Sequence, residues 1–240
     1  KEATGSLDEV AITEIRNRMD RLILLEKRRE AIFSAMEERG QLTDEIREKM
    51  ETAETLTELE DLYLPFRPKR RTRATIAREK GLEPLAEILF KQEEEDPTVL
   101  AEGFLDQEKG VTTVEEALKG AQDIMAEWMN EDQEARKALR ELFLTQGIIR
   151  SRVIKGKETE RVKYQDYFNW EEPVKSIPSH RLLAIRRGEK EMILSLRVLS
   201  PEDIALSLLE SFFVKGTNFS SLIVKEASQD CYKRLTAPSL

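Results

Sequence analysis

The sequence predicts a mainly α fold: an elongated multi-helix array with a helix-turn-helix-like unit and a minor short β-element. Three observations predict it. Charged residues fill 36% of the 240 positions, above the usual quarter or so, as long solvated helices require. Apolar residues recur at spacings of three and four through much of the chain, the period of an amphipathic helix. Ten glycines and eight prolines are too few for a sandwich or barrel that turns about every ten residues.

The elements follow from local signals. Ser6-Leu7-Asp8-Glu9 has the form of a capping box. Ile12, Ile15, Met19, Leu22, Leu25, Ile32 and Met36 then mark one helix from about Leu7 to Arg39, stopped at Gly40, whose missing Cβ suits a left-handed cap. A helix of that length bridges subdomains or packs as a hairpin. Shorter helices are expected over Asp44–Glu54 and, behind the capping box Thr55-Leu56-Thr57-Glu58, over Leu56–Tyr63. Pro65 and Pro68 interrupt, because proline lacks a donor and restricts its predecessor. Helix resumes over Thr75–Lys80, ends at Gly81 and restarts over Pro84–Phe90, the spacing of a helix-turn-helix unit.

Lys91–Pro97 (KQEEEDP) reads as an acidic surface loop. Thr112-Thr113-Val114-Glu115 opens the most amphipathic helix, with Val114, Ala117, Leu118, Ala121, Ile124, Met125 and Trp128 on one face. Ala135, Leu139, Leu142 and Phe143 mark a second helix ending at Gly147, and the two read as an αα-hairpin. Ile148–Lys157 loses the helical period and reads as extended. Tyr164, Tyr167, Phe168 and Trp170 read as a core anchor rather than a stacking surface. A helix from His180 to Arg187, capped by Ser179 and closed by Gly188, precedes the best strand, Met192–Leu199. Pro201 starts a helix to about Val214, and a last one spans Phe219–Arg234. The organisation divides into 1–158, with the long helix and basic loop, and 159–240, a helical continuation with a short strand.

Charge gives the main candidate site. The chain carries a net charge of -8, yet Arg67, Lys69, Arg70, Arg71, Arg73, Arg78 and Lys80 stand against one acid, Glu79. Two readings stay open. Clustered arginines and lysines bind nucleic-acid phosphates and release counterions. The same cations can instead pair with the protein's own acidic helices, which supply most of its 47 Asp and Glu. Only Tyr63 and Phe66 adjoin the segment as aromatics, which argues against base stacking. A recognition helix would display polar residues to base edges, whereas Pro84–Leu89 is mostly apolar, so packing is the expected role there.

Other chemistry is excluded or unsupported. One cysteine, Cys231, and one histidine, His180, exclude a typical zinc site, and no aspartate set suggests a metal nuclease, so no metal or cofactor is expected. Cys231 cannot form an internal disulfide, which fits a reducing cytosol, and reads as a core thiol. His180 sits between Ser179 and Arg181 without a third catalytic partner and reads as a cap-region histidine; no enzyme is expected. Arg186, Arg187 and Lys190 suit a helix C-terminus, where exposed carbonyls attract cations. No glycine-rich phosphate loop occurs, no apolar run reaches membrane-spanning length, and no leader opens the chain. A start without Met and a stop at Thr236–Leu240 read as a fragment.

The run from Leu59 to Ala86, LEDLYLPFRPKRRTRATIAREKGLEPLA, is very similar to the signature of the bacterial Tex family of transcription accessory proteins. KEATGSLDEV at the start, KYQDYF (Lys163–Phe168), IPSHRLLAIRRGE (Ile177–Glu189) and the ending CYKRLTAPSL also resemble that family. The resemblance implies a cytoplasmic, nucleic-acid-associated protein related to a eukaryotic transcription elongation factor. It implies an N-terminal helical region with a helix-turn-helix-like unit, followed by an RNase H-like domain, helix-hairpin-helix motifs and an RNA-binding OB-fold. The chain then corresponds to a helical stretch that begins some way into the family's N-terminal region. It stops before the RNase H-like domain and lacks the OB-fold. The expected role is a non-catalytic scaffold that positions those downstream domains. RNA or DNA is engaged through the whole protein, and the transcription machinery is a protein partner. The alternative is a self-sufficient nucleic-acid-binding module using the basic loop 67–80.

Overall fold

A computed structural model describes residues 8–68, 71–159 and 162–240. It is mainly helical with one small three-stranded sheet, and it separates into two compact units, 1–70 and 71–240. The sequence division at 158/159 falls in the connection between two paired strands of the second unit. Among the described residues no helix is long and apolar enough to cross a membrane.

In the first unit, α1 (Glu9–Glu37) starts from Asp8, whose carboxylate accepts the Ala11 N–H at 2.7 Å. Ser6 of the expected capping box lies outside the described residues. The helix stops before Gly40, which takes φ +63°, a region that a residue without Cβ enters freely. α2 (Asp44–Glu51) is capped by Thr43, and α3 (Leu56–Tyr63) by the reciprocal Thr55/Glu58 box that the sequence signals. Leu25, Ile32 and Met36 of α1 bury against Met50, Ala53, Leu59 and Tyr63. Arg29 is buried with them, donating to the carbonyls of Met50 (3.1 Å) and Ala53 (2.8 Å), which satisfies acceptors at the end of α2. The N-terminal half of α1 contributes nothing to this core, and Ile12, Ile15, Met19 and Leu22 are exposed.

The second unit is built around α7 (Val114–Glu131). Its face of Ala117, Ala121, Ile124 and Met125 is fully buried against α4 (Arg73–Glu79), α5 (Glu83–Lys91), α6 (Pro97–Glu102) and α11 (Phe219–Asp230). Small residues let these helices approach closely: a Cβ at Gly120 would lie 2.3 Å from Leu82 Cδ1. Thr113, one residue later than the first candidate, caps α7 and forms the box with Glu116. Asp132 ends α7 and caps α8 (Gln133–Gln146), which packs chiefly on α10 (Glu202–Phe213). The acidic loop contains more than expected, because Asp96 caps α6 with Pro97 at its first position. Gln92 at φ +63° links this region to the α10–α11 connection. Its side chain donates to the Phe213 carbonyl (2.7 Å) and accepts from the Lys215 N–H (2.8 Å). Cys231 is wholly buried where α11 widens into a π-turn, Cys231–Thr236, and burial pushes its thiol up to about 11.

The sheet has the order β2-β1-β3, all antiparallel: β1 (Ile148–Val153), β2 (Asn169–Pro173) and β3 (Leu194–Leu199). β1 and β3 match the extended segments read from sequence; β2 was not anticipated. Tyr164, Ile185, Ile193 and Leu194 form a second small core with Tyr167, Phe168 and Trp170 packed against it, the anchoring role expected of those aromatics. α9 runs Ser179–Lys190, past the glycine read as its stop. Gly188 is buried inside the helix, where a Cβ would lie 2.6 Å from Leu194 Cδ1. Its smallness serves helix–strand packing rather than termination.

Candidate nucleic-acid interface

The basic segment divides between the units. Arg67 belongs to the first, is exposed, and follows a 3₁₀ turn, Leu64–Phe66. Arg39 fixes that turn by donating to the Phe66 carbonyl (2.8 Å) and the Tyr63 hydroxyl (3.1 Å). Lys69 and Arg70 lie outside the described residues.

The remaining cations surround α4. Thr72 caps this helix, accepting the Thr75 N–H at 3.0 Å, and its hydroxyl donates to Glu127 of α7 at 3.2 Å. Arg78, one turn and a half further on, donates to Glu127 Oε2 at 2.5 Å and to Glu83 Oε1 at 2.9 Å. Glu127 is only 7% exposed, so a buried carboxylate and a guanidinium neutralise each other at the α4–α7 contact. Lys80 donates to the Gly110 carbonyl at 2.7 Å. Its charge adds to the Thr112 N–H and hydroxyl bonds that hold the Glu116 carboxyl below the usual range. Arg71 pairs with Glu79 at 3.1 Å, both side chains more than half exposed, a type of pair that contributes little.

Arg73, Lys80 and Lys119 rim a groove between α4 and α7 that also holds Glu116 and Asp123. Burial holds Asp123 above the usual carboxylate range, although Arg234, Lys119 and Arg73 pull it the other way. Of the sequence-predicted cations, Arg78 pairs with the α7 carboxylate Glu127, Lys80 donates to a backbone carbonyl, and Arg73 is exposed on the rim of the groove. The segment read from sequence as a helix-turn-helix-like unit folds as α4, Gly81 at φ +81°, and α5. Leu85, Ala86 and Leu89 of α5 are fully buried, leaving Pro84, Glu87 and Lys91 exposed, a poor set for reading base edges. His180 is exposed on the first turn of α9, and no hydrogen bond to its ring occurs among the described residues.

A second cationic run escaped the sequence reading. Arg150, Arg152, Lys155 and Lys157 follow one another with no intervening acid. The signal was available: Arg-x-Arg in an extended stretch places both side chains on one face.

The family model described as Tex central region-like matches residues 92–225. The chain belongs to the Tex family. It is 40% identical over 208 residues to the transcriptional accessory protein Tex of Neisseria gonorrhoeae, covering 86% of this chain and 27% of that protein. It is 40% identical over 222 residues to the protein tex of Bordetella pertussis, covering 92% and 28%. A more distant relative is the human S1 RNA-binding domain-containing protein 1, 23% identical over 207 residues, covering 82% of this chain and 20% of the relative. The Tex-family chain thus spans about a quarter of the length of the bacterial relatives it matches.

Proposed function

We propose that this chain is the non-catalytic helical scaffold region of a Tex-like transcription accessory, nucleic-acid-associated cytoplasmic protein, positioning nucleic-acid-binding domains that lie elsewhere in the longer protein. The observation that carries the reading is the Arg78–Glu127–Glu83 arrangement. Arg78, a part-buried cation of the basic segment, holds α4 to α7 and is withheld from an external phosphate. Membership of a family whose relatives are named as transcriptional accessory and S1 RNA-binding proteins supports the nucleic-acid context.

Equilibrium binding of the chain to labelled single- and double-stranded RNA and DNA across salt tests the reading. A scaffold binds no tighter than the weak end of non-specific association, about 100 µM at physiological salt. Binding near 1 µM that weakens steeply with salt would favour a self-sufficient binding module instead.

A further inference from the structure

We infer that the outer face of the three-stranded sheet is a phosphate-backbone contact for nucleic acid, carried by Arg150, Arg152 and Arg197. The inference rests on the nucleic-acid context proposed above but assigns a site outside the basic segment.

The register places these side chains together. Arg150 of β1 is the direct cross-strand partner of Arg197 on β3 and of Glu171 on β2; Arg152 pairs with Ser195 and Asn169. Directly paired residues of antiparallel strands point to the same side, so one row reads Glu171–Arg150–Arg197 and the next Asn169–Arg152–Ser195. Three guanidiniums share this surface with one carboxylate. Arg150 Nε and Arg152 Nη2 both donate to the same oxygen, Glu171 Oε1, each at 2.7 Å. Those bonds hold Glu171 below the usual carboxylate range. Arg197 is exposed, and no hydrogen bond or ion pair to its side chain occurs among the described residues.

A like-charge pair placed directly across two strands disfavours the sheet, and Glu171 neutralises only one of the three charges. An external anion removes the conflict. Glu171 orients Arg150 and Arg152 while leaving further N–H groups on both forks, the geometry that engages phosphate oxygens. Asn169 and Ser195 flank them as neutral hydrogen-bonding groups. Trp170 lies on the opposite face, under the Arg181 guanidinium, so the arginine rows offer no stacking platform and the contact is independent of base sequence. They also lack the aromatic anchor that fixes a protein partner, which favours a nucleic-acid backbone over an acidic protein surface.

The test uses the whole 240-residue chain and labelled single-stranded RNA between about 50 and about 200 mM salt, where each single-strand phosphate contact contributes about 0.7 to the slope of log affinity against log salt. Replacing Arg150, Arg152 and Arg197 together by Ala is expected to lower that slope by about 2. The single change Arg197→Glu separates binding from folding. It puts an acid across from Arg150, so melting is expected to hold or rise while RNA affinity falls by about fivefold or more. An unchanged slope in the triple variant would overturn the inference. So would equal binding of poly-glutamate with the same loss, which would assign the face to an acidic protein. Absence of RNA binding by the unaltered chain at about 50 mM salt would overturn it too, while leaving the scaffold reading intact. Tight binding lost only on changing Arg71 and Arg73 would overturn both.

Discussion

Leu59→Ala is expected to lower the stability of the first unit by about 3 kcal/mol, the usual loss when a fully buried leucine becomes a cavity. Leu59 has no exposed surface and sits among Leu25, Ile32, Met36, Met50 and Tyr63. A unit of this size buries a smaller fraction of its surface than a large domain does, and its margin is correspondingly thin. The same substitution in a larger core would be tolerated better. Urea unfolding followed by far-ultraviolet circular dichroism should show early loss of the helical signal of α2, α3 and the C-terminal part of α1. Leu59→Met, which conserves volume, should lose less than about 1.5 kcal/mol. Equal behaviour of the two variants would mean that the core is not closed around this position.

Arg78→Ala is expected to destabilise the second unit by about 2 kcal/mol while leaving RNA affinity unchanged. The loss arises mainly at Glu127. Its carboxylate stays buried and keeps the Thr72 hydroxyl but loses the Arg78 guanidinium. Because the Arg78 side chain is itself 27% exposed, the loss falls below that of a wholly buried ion pair. A double-mutant cycle with Glu127→Ala should return a coupling of about 1 to 2 kcal/mol. Additive losses would show that the two side chains do not act together.

Much of the helical architecture was legible because caps are local. Thr55 with Glu58, and the threonine pair ahead of α7, announce helix starts within four residues of sequence. β2 was hidden for the opposite reason. Asn-Trp-Glu-Glu-Pro alternates between exposed and half-buried positions and carries no apolar run to mark it. α6 shows no sequence period because six residues are too few for one, although Asp96-Pro97 signals a helix start. Gly188 shows a different limit: a glycine that ends a helix and one that admits a leucine look alike until Leu194 is placed against it.

The candidate site divides along the same line. The excess of positive charge at 67–80 is a local property and is plain in the sequence. Its buried anion is not local, since Glu127 lies 49 residues beyond Arg78, and only the α4–α7 packing brings the two together. On the sheet, likewise, Arg150 meets Arg197 only through the β1–β3 register.

The salt dependence of RNA affinity in an Arg71→Ala/Arg73→Ala/Lys80→Ala variant, measured beside the thermal melt of the same protein, bears most directly on the scaffold claim. If the basic segment is not a phosphate-binding surface, the slope of log affinity against log salt should match that of the unaltered chain within about 0.5, with only a small fall in melting temperature, because Arg71 gives up a weak surface pair and Lys80 a single bond to a carbonyl. A slope reduced by about 2, one contact for each of the three cations removed, with an unchanged melt would contradict the account and make the segment a phosphate-binding surface.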